Sequence, residues 1–354
     1  MTRAAAAAAE MSAAATTDDR RRKLTIIVLA AVLLAGIAVV AIGVGAYHVP
    51  PGDVVRVLAS RAGIGPGAAS VQETVVLDIR MTRIVLAVVV GAALANSGAV
   101  YQGVFRNPLV EPYVLGVSSG AAFGAGVSVM FDFALSLQAL AFIFGMVAVF
   151  TTYTLARVRG EVPTVTLVLA GVVIGSMFSA LFAIFQYTGT DEQLRRLVFW
   201  ILGGLHRATW ADVRIVAPLI VIGLLVIWRY AWELNVLTLG NEEAAALGIP
   251  VERIRLTLII AATAATALAV SVSGIIAWVG LMVPHAARLV LGPDHRYLLP
   301  MSAVIGAAFV ILCDTLARTI TTGEVPIGII TSILGAPYLI YLLRTRLNYF
   351  SAGA

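Results

Sequence analysis

The sequence predicts an all-α polytopic membrane protein with about ten transmembrane helices, and three observations lead there. First, 60% of the 354 residues are hydrophobic and only 12% are charged, against about 25% charged in an average soluble domain. Second, the apolar residues fall into ten long runs, and about 20 apolar residues cross a bilayer core. Third, basic residues are concentrated between alternate runs, as expected of cytoplasmic loops.

The first run extends from residue 24 to about residue 46 and follows a basic cluster at 20–23. It is longer than the 7 to 15 residues of a signal-peptide core, so we predict an uncleaved helix, with a cleaved signal as the alternative. The alanine-rich residues 1–23 show no periodicity and are predicted to form a disordered cytoplasmic tail. Residues 347–354 are predicted to form a short second tail.

The membrane domain is therefore predicted to span residues 24–346, with a polar loop at 47–78. The other nine runs lie at 81–103, 113–131, 137–156, 163–187, 213–232, 255–274, 276–291, 299–320 and 326–343. The stretch 271–280 is predicted to be either a broken helix or a tight turn. An even number of crossings places both termini in the cytoplasm.

This orientation puts most basic residues inside, but it leaves nine outside. These are Arg56, Arg61, Arg80, Arg83, Arg195, Arg196, Arg207, Arg214 and Arg318. Because the net charge of +5 follows this topology, it is no sign of nucleic-acid binding.

Motifs for ATP hydrolysis are absent. Lys23 is the only lysine, and Arg22 precedes it where the phosphate-binding loop requires glycine. The single cysteine, Cys313, allows neither an internal disulfide nor a multi-cysteine metal site. We therefore expect a protein that is not an enzyme and that binds no metal or cofactor itself.

Glycines recur at helical spacing. Gly116, Gly120 and Gly124 share one helix face, and Gly171 and Gly175 repeat the interval. Such faces allow close helix packing, and a dimer seam or a substrate path is the sharper alternative. Ahead of them, the prolines of the 106–112 segment end a helix and free its backbone groups, which indicates a turn or a gate facing water or a cavity.

Two further features carry charge. Residues 239–250 are predicted to form a short helix capped by Asn241, with Glu242 and Glu243 at its positive start. This helix is either a docking surface or part of a solvated loop. Asp314 and Arg318 lie four residues apart and can pair, or Asp314 can relay protons. A lone histidine, His285, is either a ligand or a packed side chain.

Five blocks of the sequence resemble the FecCD family of ABC importer permeases, which serve iron-siderophores, haem and vitamin B12. They are RNPLVEPYVLGVSSGAAFG from Arg106, LGNEEAAALGIP from Leu239, GLMVPHAAR from Gly280, GPDHR from Gly292 and EVPIGIITSILGAPY from Glu324. The blocks follow the family's order between about residues 78 and 346.

The resemblance implies a ten-helix subunit of the vitamin B12 importer type, in a bacterial or archaeal plasma (inner) membrane. It implies a homodimer with a path on its two-fold axis, two cytoplasmic ATPase subunits that bind ATP and Mg²⁺, and a periplasmic or lipid-anchored substrate-binding protein. We expect alternating access with an iron chelate as substrate; vitamin B12 import and ion-coupled secondary transport are the alternatives.

The resemblance also assigns site residues. It implies that Arg80, Arg83 and Arg318 lie on the outer surface and receive glutamates of the binding protein. The ATPase coupling surface is assigned to Glu242, Glu243, Ala246, Leu247 and Gly248. The gate and path are assigned to Asn107, Pro108, Leu109, Gly116, Gly120, Gly124 and Gly171. The basic residues Arg195, Arg196 and Arg207 favour a negatively charged substrate.

Overall fold

The computed structural model of the chain describes residues 2–45, 47–61, 63, 70–131, 135–157, 162–321 and 323–345. The ten predicted apolar runs are all present as helices. They are α1 (Thr2–Gly43), α4 (Met81–Val104), α5 (Val117–Met130), α6 (Leu137–Ala156), α7 (Thr164–Thr188), α9 (Trp210–Arg229), α12 (Val251–Ser273), α13 (Val279–Leu291), α14 (His295–Ala317) and α15 (Ile327–Thr345). Among the described residues there is no strand, which confirms the predicted all-α class.

Shorter helices connect these segments. They are α2 (Pro51–Arg61), α3 (Ser70–Glu73), α8 (Asp191–Ile201), α10 (Ala231–Leu237) and α11 (Asn241–Ala246), with a π-helical segment at Thr74–Arg80 and a 3₁₀ turn at Pro112–Leu115. The stretch 47–78, predicted as a loop, therefore contains helices. The alternation of polar and apolar residues in this stretch is short. In α2 only one face, which carries Val54 and Val57, is buried.

The first helix begins at Thr2 and so continues through the boundary at residue 23. The segment that we predicted to be disordered is helical in the structure. Alanine has the highest intrinsic helix propensity, which gives this segment a local reason to be helical. The predicted tail at 347–354 lies outside the described residues.

Seven described helices are long and apolar enough to cross a membrane, and α5, α13 and α15 are shorter apolar helices. Helices α4 and α12 are mostly buried, whereas α1, α7 and α9 are mostly exposed. Exposed valine and leucine side chains are stable on these outer helices because a bilayer, unlike water, does not penalise them. The bundle therefore packs around α4 and α12.

The bundle has two ends. At one end, called here the Arg318 end, α4 and α15 begin and α1, α12 and α14 finish. At the other, called the α11 end, α4 finishes and α12 and α14 begin. Helix α13 has only 13 residues and is a half-length helix that starts inside the bundle, after the non-helical residues 274–278. The stretch 271–280 is therefore a break between two helices.

Glycines let neighbouring helices approach to backbone contact. A Cβ added to Gly120 of α5 would lie 2.5 Å from the Phe144 carbonyl oxygen of α6. A Cβ added to Gly124 would lie 2.3 Å from the Leu140 carbonyl oxygen. The first two turns of α5 thus pack tightly on α6 within one chain, which favours the packing interpretation over a substrate path for these two glycines.

We expect Gly120→Ala to lower the apparent melting temperature of the detergent-purified protein. The added methyl group overpacks the α5–α6 contact, at a cost of about 1–3 kcal/mol. Gly36→Ala is the matched control, because a Cβ at Gly36 in α1 meets nothing within 4 Å and alanine favours a helix by about 0.5–1 kcal/mol. Equal melting temperatures for the two variants would contradict tight α5–α6 packing.

Candidate functional site

The segment after α4 first makes an exposed turn at the α11 end. Arg106 has a positive φ of 51°, and the Asn107 side-chain oxygen accepts a hydrogen bond from the Leu109 N–H at 3.0 Å. Leu109 is 43% exposed. The predicted gate residues Asn107, Pro108 and Leu109 therefore share one exposed turn, and their gate role stays a prediction.

The same segment then enters the bundle and holds the break between α12 and α13. The Glu111 carboxylate accepts a hydrogen bond from the Trp278 N–H at 2.7 Å. The Tyr113 hydroxyl donates to the Ile276 carbonyl oxygen at 2.8 Å. Because backbone groups freed inside a membrane must find partners, these two side chains make the broken helix possible. They also connect the exposed turn mechanically to the start of α13.

Close contact with α7 follows. Gly116, with φ of 84°, ends the 3₁₀ turn, and a Cβ there would lie 3.2 Å from the Gly175 nitrogen. A Cβ at Gly171 would lie 2.3 Å from the Val114 carbonyl oxygen. Gly116 and Gly171 therefore let the segment after α4 lie directly on α7. They stay predicted path residues, and the structure brings them together at the side of α7 opposite its exposed face.

Helix α7 exposes a face of mixed character along most of its length. At a spacing of three or four residues, this face carries Leu169, Val172, Ser176, Ala180, Ala183 and Tyr187, all of them exposed. Tyr187 is 91% exposed. Small and polar residues at mid-membrane depth are unusual on a surface that faces only lipid, so this face suits contact with water or with another helix.

Helix α11 has one exposed side and is attached to the bundle on the other. Glu242, Glu243, Ala246 and Gly248 are exposed, and Leu247 is 60% exposed, while Ala244 is fully buried. The predicted cap is wrong, because Gly240 occupies the N-cap position. Instead, the Asn241 side-chain oxygen accepts a hydrogen bond from Arg255 of α12 at 2.7 Å, which ties the helix to the bundle.

The Arg318 end contains a buried charge cluster, here the arginine cluster, formed by Arg80, Arg83, Asp314, Arg318 and Glu324. Asp314 lies between two guanidinium groups, 2.8 Å from Arg83 and 3.1 Å from Arg318. Glu324 accepts a second pair of hydrogen bonds from Arg83, at 3.0 and 2.9 Å. The predicted pairing of Asp314 with Arg318 is confirmed.

The rest of the cluster binds the end of α1. Arg318 donates to the carbonyl oxygens of Ala41 at 3.2 Å and Val44 at 2.8 Å. Arg80 donates to those of Ile42 at 2.7 Å and Gly43 at 3.0 Å. Since the last carbonyl groups of a helix lack partners of their own, these two arginines cap α1 and dock it on α4 and α14.

This geometry corrects one expectation. Arg80, Arg83 and Arg318 are only 3%, 4% and 4% exposed, and all have partners within the chain, so they do not lie free on the outer surface. The physical reason is that each guanidinium donates to carbonyl or carboxylate oxygens nearby, and these charge-assisted hydrogen bonds replace those to water in the buried position. Their role in docking a binding protein stays a prediction.

Other basic side chains at this end are exposed. Arg195 and Arg196 lie on α8, and Arg207 lies in the loop that follows it. Arg196 pairs with Glu192 one turn before it, while Arg195 and Arg207 have no ion pair among the described residues. The mouth of the bundle at the Arg318 end is thus positively charged at these two positions.

Sequence reasoning missed Glu111. Its partner, Trp278, is 167 residues away, and one carboxylate between two helices carries no periodic signal. A carboxylate beside two prolines in an apolar context was the available clue.

His285 is buried and its ring lies 6.4 Å from the Tyr338 ring at an edge-on angle, as expected of a packed side chain.

The relatives found by comparison with known proteins are permease proteins of import or transport systems. The cobalamin import system permease protein BtuC of Halobacterium salinarum is 45% identical over 282 residues, covering 79% of this chain and 76% of that protein. The hemin transport system permease protein HmuU of Yersinia pestis is 42% identical over 280 residues, covering 76% and 83%. The molybdate import system permease protein MolB of Haemophilus influenzae is 35% identical over 321 residues, covering 88% and 94%.

The fold has a solved counterpart as well. A structure described as an inward-facing conformation of a metal-chelate type ABC transporter superposes with a TM-score of 0.81 at 33% identity, covering 90% of this chain and 99% of that one. The sequence model of the FecCD transport family matches residues 25–345. The chain therefore belongs to the FecCD transport family and is a multi-pass permease subunit of an ABC importer.

Proposed function

We propose that two copies of this chain form a homodimer that imports an iron chelate, a siderophore complex or haem, by alternating access. ATP would be hydrolysed with Mg²⁺ on two separate cytoplasmic ATPase subunits, and a periplasmic or lipid-anchored binding protein would deliver the substrate. The observation that carries the proposal is the exposed α11 surface, a charged helix fixed at one end of a membrane bundle that has no nucleotide-binding motif.

The exposed face of α7 supports a path between two copies. A cavity of about 470 Å³ lies at the Arg318 end, lined by the end of α8, the start of α15 and the helix break, among them Leu202, Ile275 and Ser332. It is open on one side in the single chain, so a second copy could complete its wall. The path would then run from this mouth to the exposed turn at Asn107.

Orientation follows from charge. The cluster at 20–23, Arg253 and Arg344 belong to the α11 end, which would be cytoplasmic under the positive-inside bias, with both termini on that side of the plasma membrane. The Arg318 end would then face the binding protein. In this arrangement an incoming glutamate would have to compete with Glu324, which is 43% exposed at its side chain, for Arg83.

The exposed Arg195 and Arg207 side chains, which have no ion pair among the described residues, support an anionic substrate; the exposed Asp191 and Glu192 lie on the same helix as Arg195. We expect the triple variant Arg195→Glu, Arg196→Glu and Arg207→Glu to slow import of an anionic ferric chelate by about tenfold or more at low salt, since a charged entrance steers association by factors of about 10 to 10³. Import into proteoliposomes with the native partners is the measurement. Cyanocobalamin, which has no net charge, is the control substrate.

Vitamin B12 is the second candidate, because the relative at 45% identity is a cobalamin import system permease. In the same assay, import of cyanocobalamin well above that of ferric siderophores and haem would replace the iron proposal with this one. Ion-coupled transport through Asp314 is less favoured, because both oxygens of that carboxylate are bound by arginines.

A further inference from the structure

A second cavity lies at the α11 end, away from the proposed mouth. It has a volume of about 250 Å³ and lies where the end of α4 meets α13 and the start of α14. Its lining includes Gln102, Arg106, Asn107, Thr238, Arg288 and His295. The proposed path ends at the same Asn107 turn, but the proposed transport cycle gives no role to Arg106 or Arg288.

Arg288 of α13 brings a positive charge into this cavity without a carboxylate to balance it. Its Nη1 donates to the Gln102 side-chain oxygen at 2.6 Å, which is a neutral acceptor. Among the described residues, neither Arg288 nor Arg106 has an ion pair. A guanidinium has five N–H donors, so both arginines retain unused donors for an anion. Arg288 is half-buried, and a partly buried charge without a counter-ion is costly, whereas Arg106 is exposed.

The acidic residue nearest to Arg288 in the sequence, Asp294, has other partners. Asp294 accepts hydrogen bonds from the Arg296 backbone and side chain at 2.7 to 3.1 Å. It also accepts one from the Asn235 side chain at 2.7 Å. Although partial burial acts to raise the pKa of Asp294, these bonds hold it at about 2. Asp294 therefore stays ionised, caps α14 and pairs with Arg296 instead of Arg288.

Size and donors indicate the ligand class. A volume of about 250 Å³ far exceeds the share of one water, about 30 Å³, but it is below the roughly 300 Å³ at which sites for drug-sized ligands begin. Asn107 adds an amide NH₂ group, because its oxygen already accepts from Leu109. Arginine forks match the oxygens of carboxylates and phosphates in bidentate geometry.

We propose that this cavity binds a phosphate-type oxyanion, held by Arg288 and Arg106 with Asn107 at its rim. The anion would bridge the exposed turn after α4 and the end of α13. Binding of the anion in the cavity would then change the mobility of the predicted gate, whichever substrate the protein transports. The phosphate could be free in solution or belong to a lipid headgroup, because Leu289 at the same rim is 50% exposed.

The test uses the full-length protein in nanodiscs of phosphatidylcholine and measures binding of radiolabelled inorganic phosphate by equilibrium dialysis. We expect saturable binding, weakened at least about tenfold by Arg288→Gln and about threefold by Arg106→Gln, which lies on an exposed turn and should not disturb folding. Arg253→Gln is the control, because Arg253 is exposed at the same end and has no ion pair among the described residues.

A parallel arm replaces free phosphate with phosphatidylglycerol and counts retained lipids by native mass spectrometry. Retention by the unaltered protein and loss in Arg288→Gln would support the site with a headgroup as its source. The proposal is overturned if neither probe binds saturably, or if Arg288→Gln and Arg253→Gln bind both probes as the unaltered protein does.

Discussion

Charge reversal of Glu242 and Glu243 together is expected to abolish ATP-driven uptake while the protein still folds. Both side chains are exposed on α11 and neither has an ion pair among the described residues. Reversing them therefore breaks no ion pair, although each arginine at a helix start costs about 0.3–1 kcal/mol. The effect should fall on the ATPase contact, where like charges brought together cost several kcal/mol.

The measurement is co-purification of the ATPase subunit with the permease in mild detergent, followed by uptake into vesicles. A cost of about 3 kcal/mol corresponds to an affinity loss of more than about 100-fold. Asp191→Arg with Glu192→Arg is the matched control, since these residues occupy the first turn of α8 at the opposite end. If both double variants retained the ATPase equally, α11 would not be the coupling helix.

Removing the carboxylate charge of Asp314 is the second change expected to have a large effect. Asp314 is 1% exposed and is shared by Arg83 and Arg318, so Asp314→Asn leaves the buried Arg318 without a carboxylate and leaves Arg83 with Glu324 as its one remaining ion-pair partner among the described residues. Breaking a buried ion pair in this way costs about 3–5 kcal/mol, a large part of the 5–15 kcal/mol of a typical folded domain. Arg318 would also hold the end of α1 less firmly.

We expect Asp314→Asn to lower the apparent melting temperature strongly and to reduce the amount of protein in the membrane. Glu324→Gln is the control in the same cluster: its side chain is 43% exposed, and exposed ion pairs contribute about 0–1 kcal/mol. The surviving Asp314→Asn protein should still import in an ATP-dependent manner, per folded molecule. Normal stability with complete loss of uptake would favour the proton-relay alternative instead.

The fold was predictable because its signal is local. Each apolar run is read from neighbouring residues, and the Asp314–Arg318 pair follows from a spacing of one helical turn. The end of α11 is also local, since Gly248 adopts a positive φ of 79° that stops the helix. These features depend only on residues within about one turn of each other.

The organisation of the site was less predictable because it depends on distant partners. Arg83 and Asp314 are 231 residues apart. Nothing in the local sequence at residues 78–83, DIRMTR, indicates that its two arginines are buried. The Asn241 side chain was expected to cap α11, but Arg255 offers it a charged donor, and such hydrogen bonds are stronger than neutral ones. The resemblance gave these positions roles without giving their partners.

We propose that this chain works only together with an ATPase and a binding protein. The decisive experiment is affinity purification of the chain from its own cells in mild detergent, with mass spectrometry of the proteins and metal chelates that accompany it. We expect recovery of a P-loop ATPase and an exported binding protein that carries an iron chelate. Recovery of the chain alone, at native levels and with other ABC complexes intact in the same preparation, would contradict it.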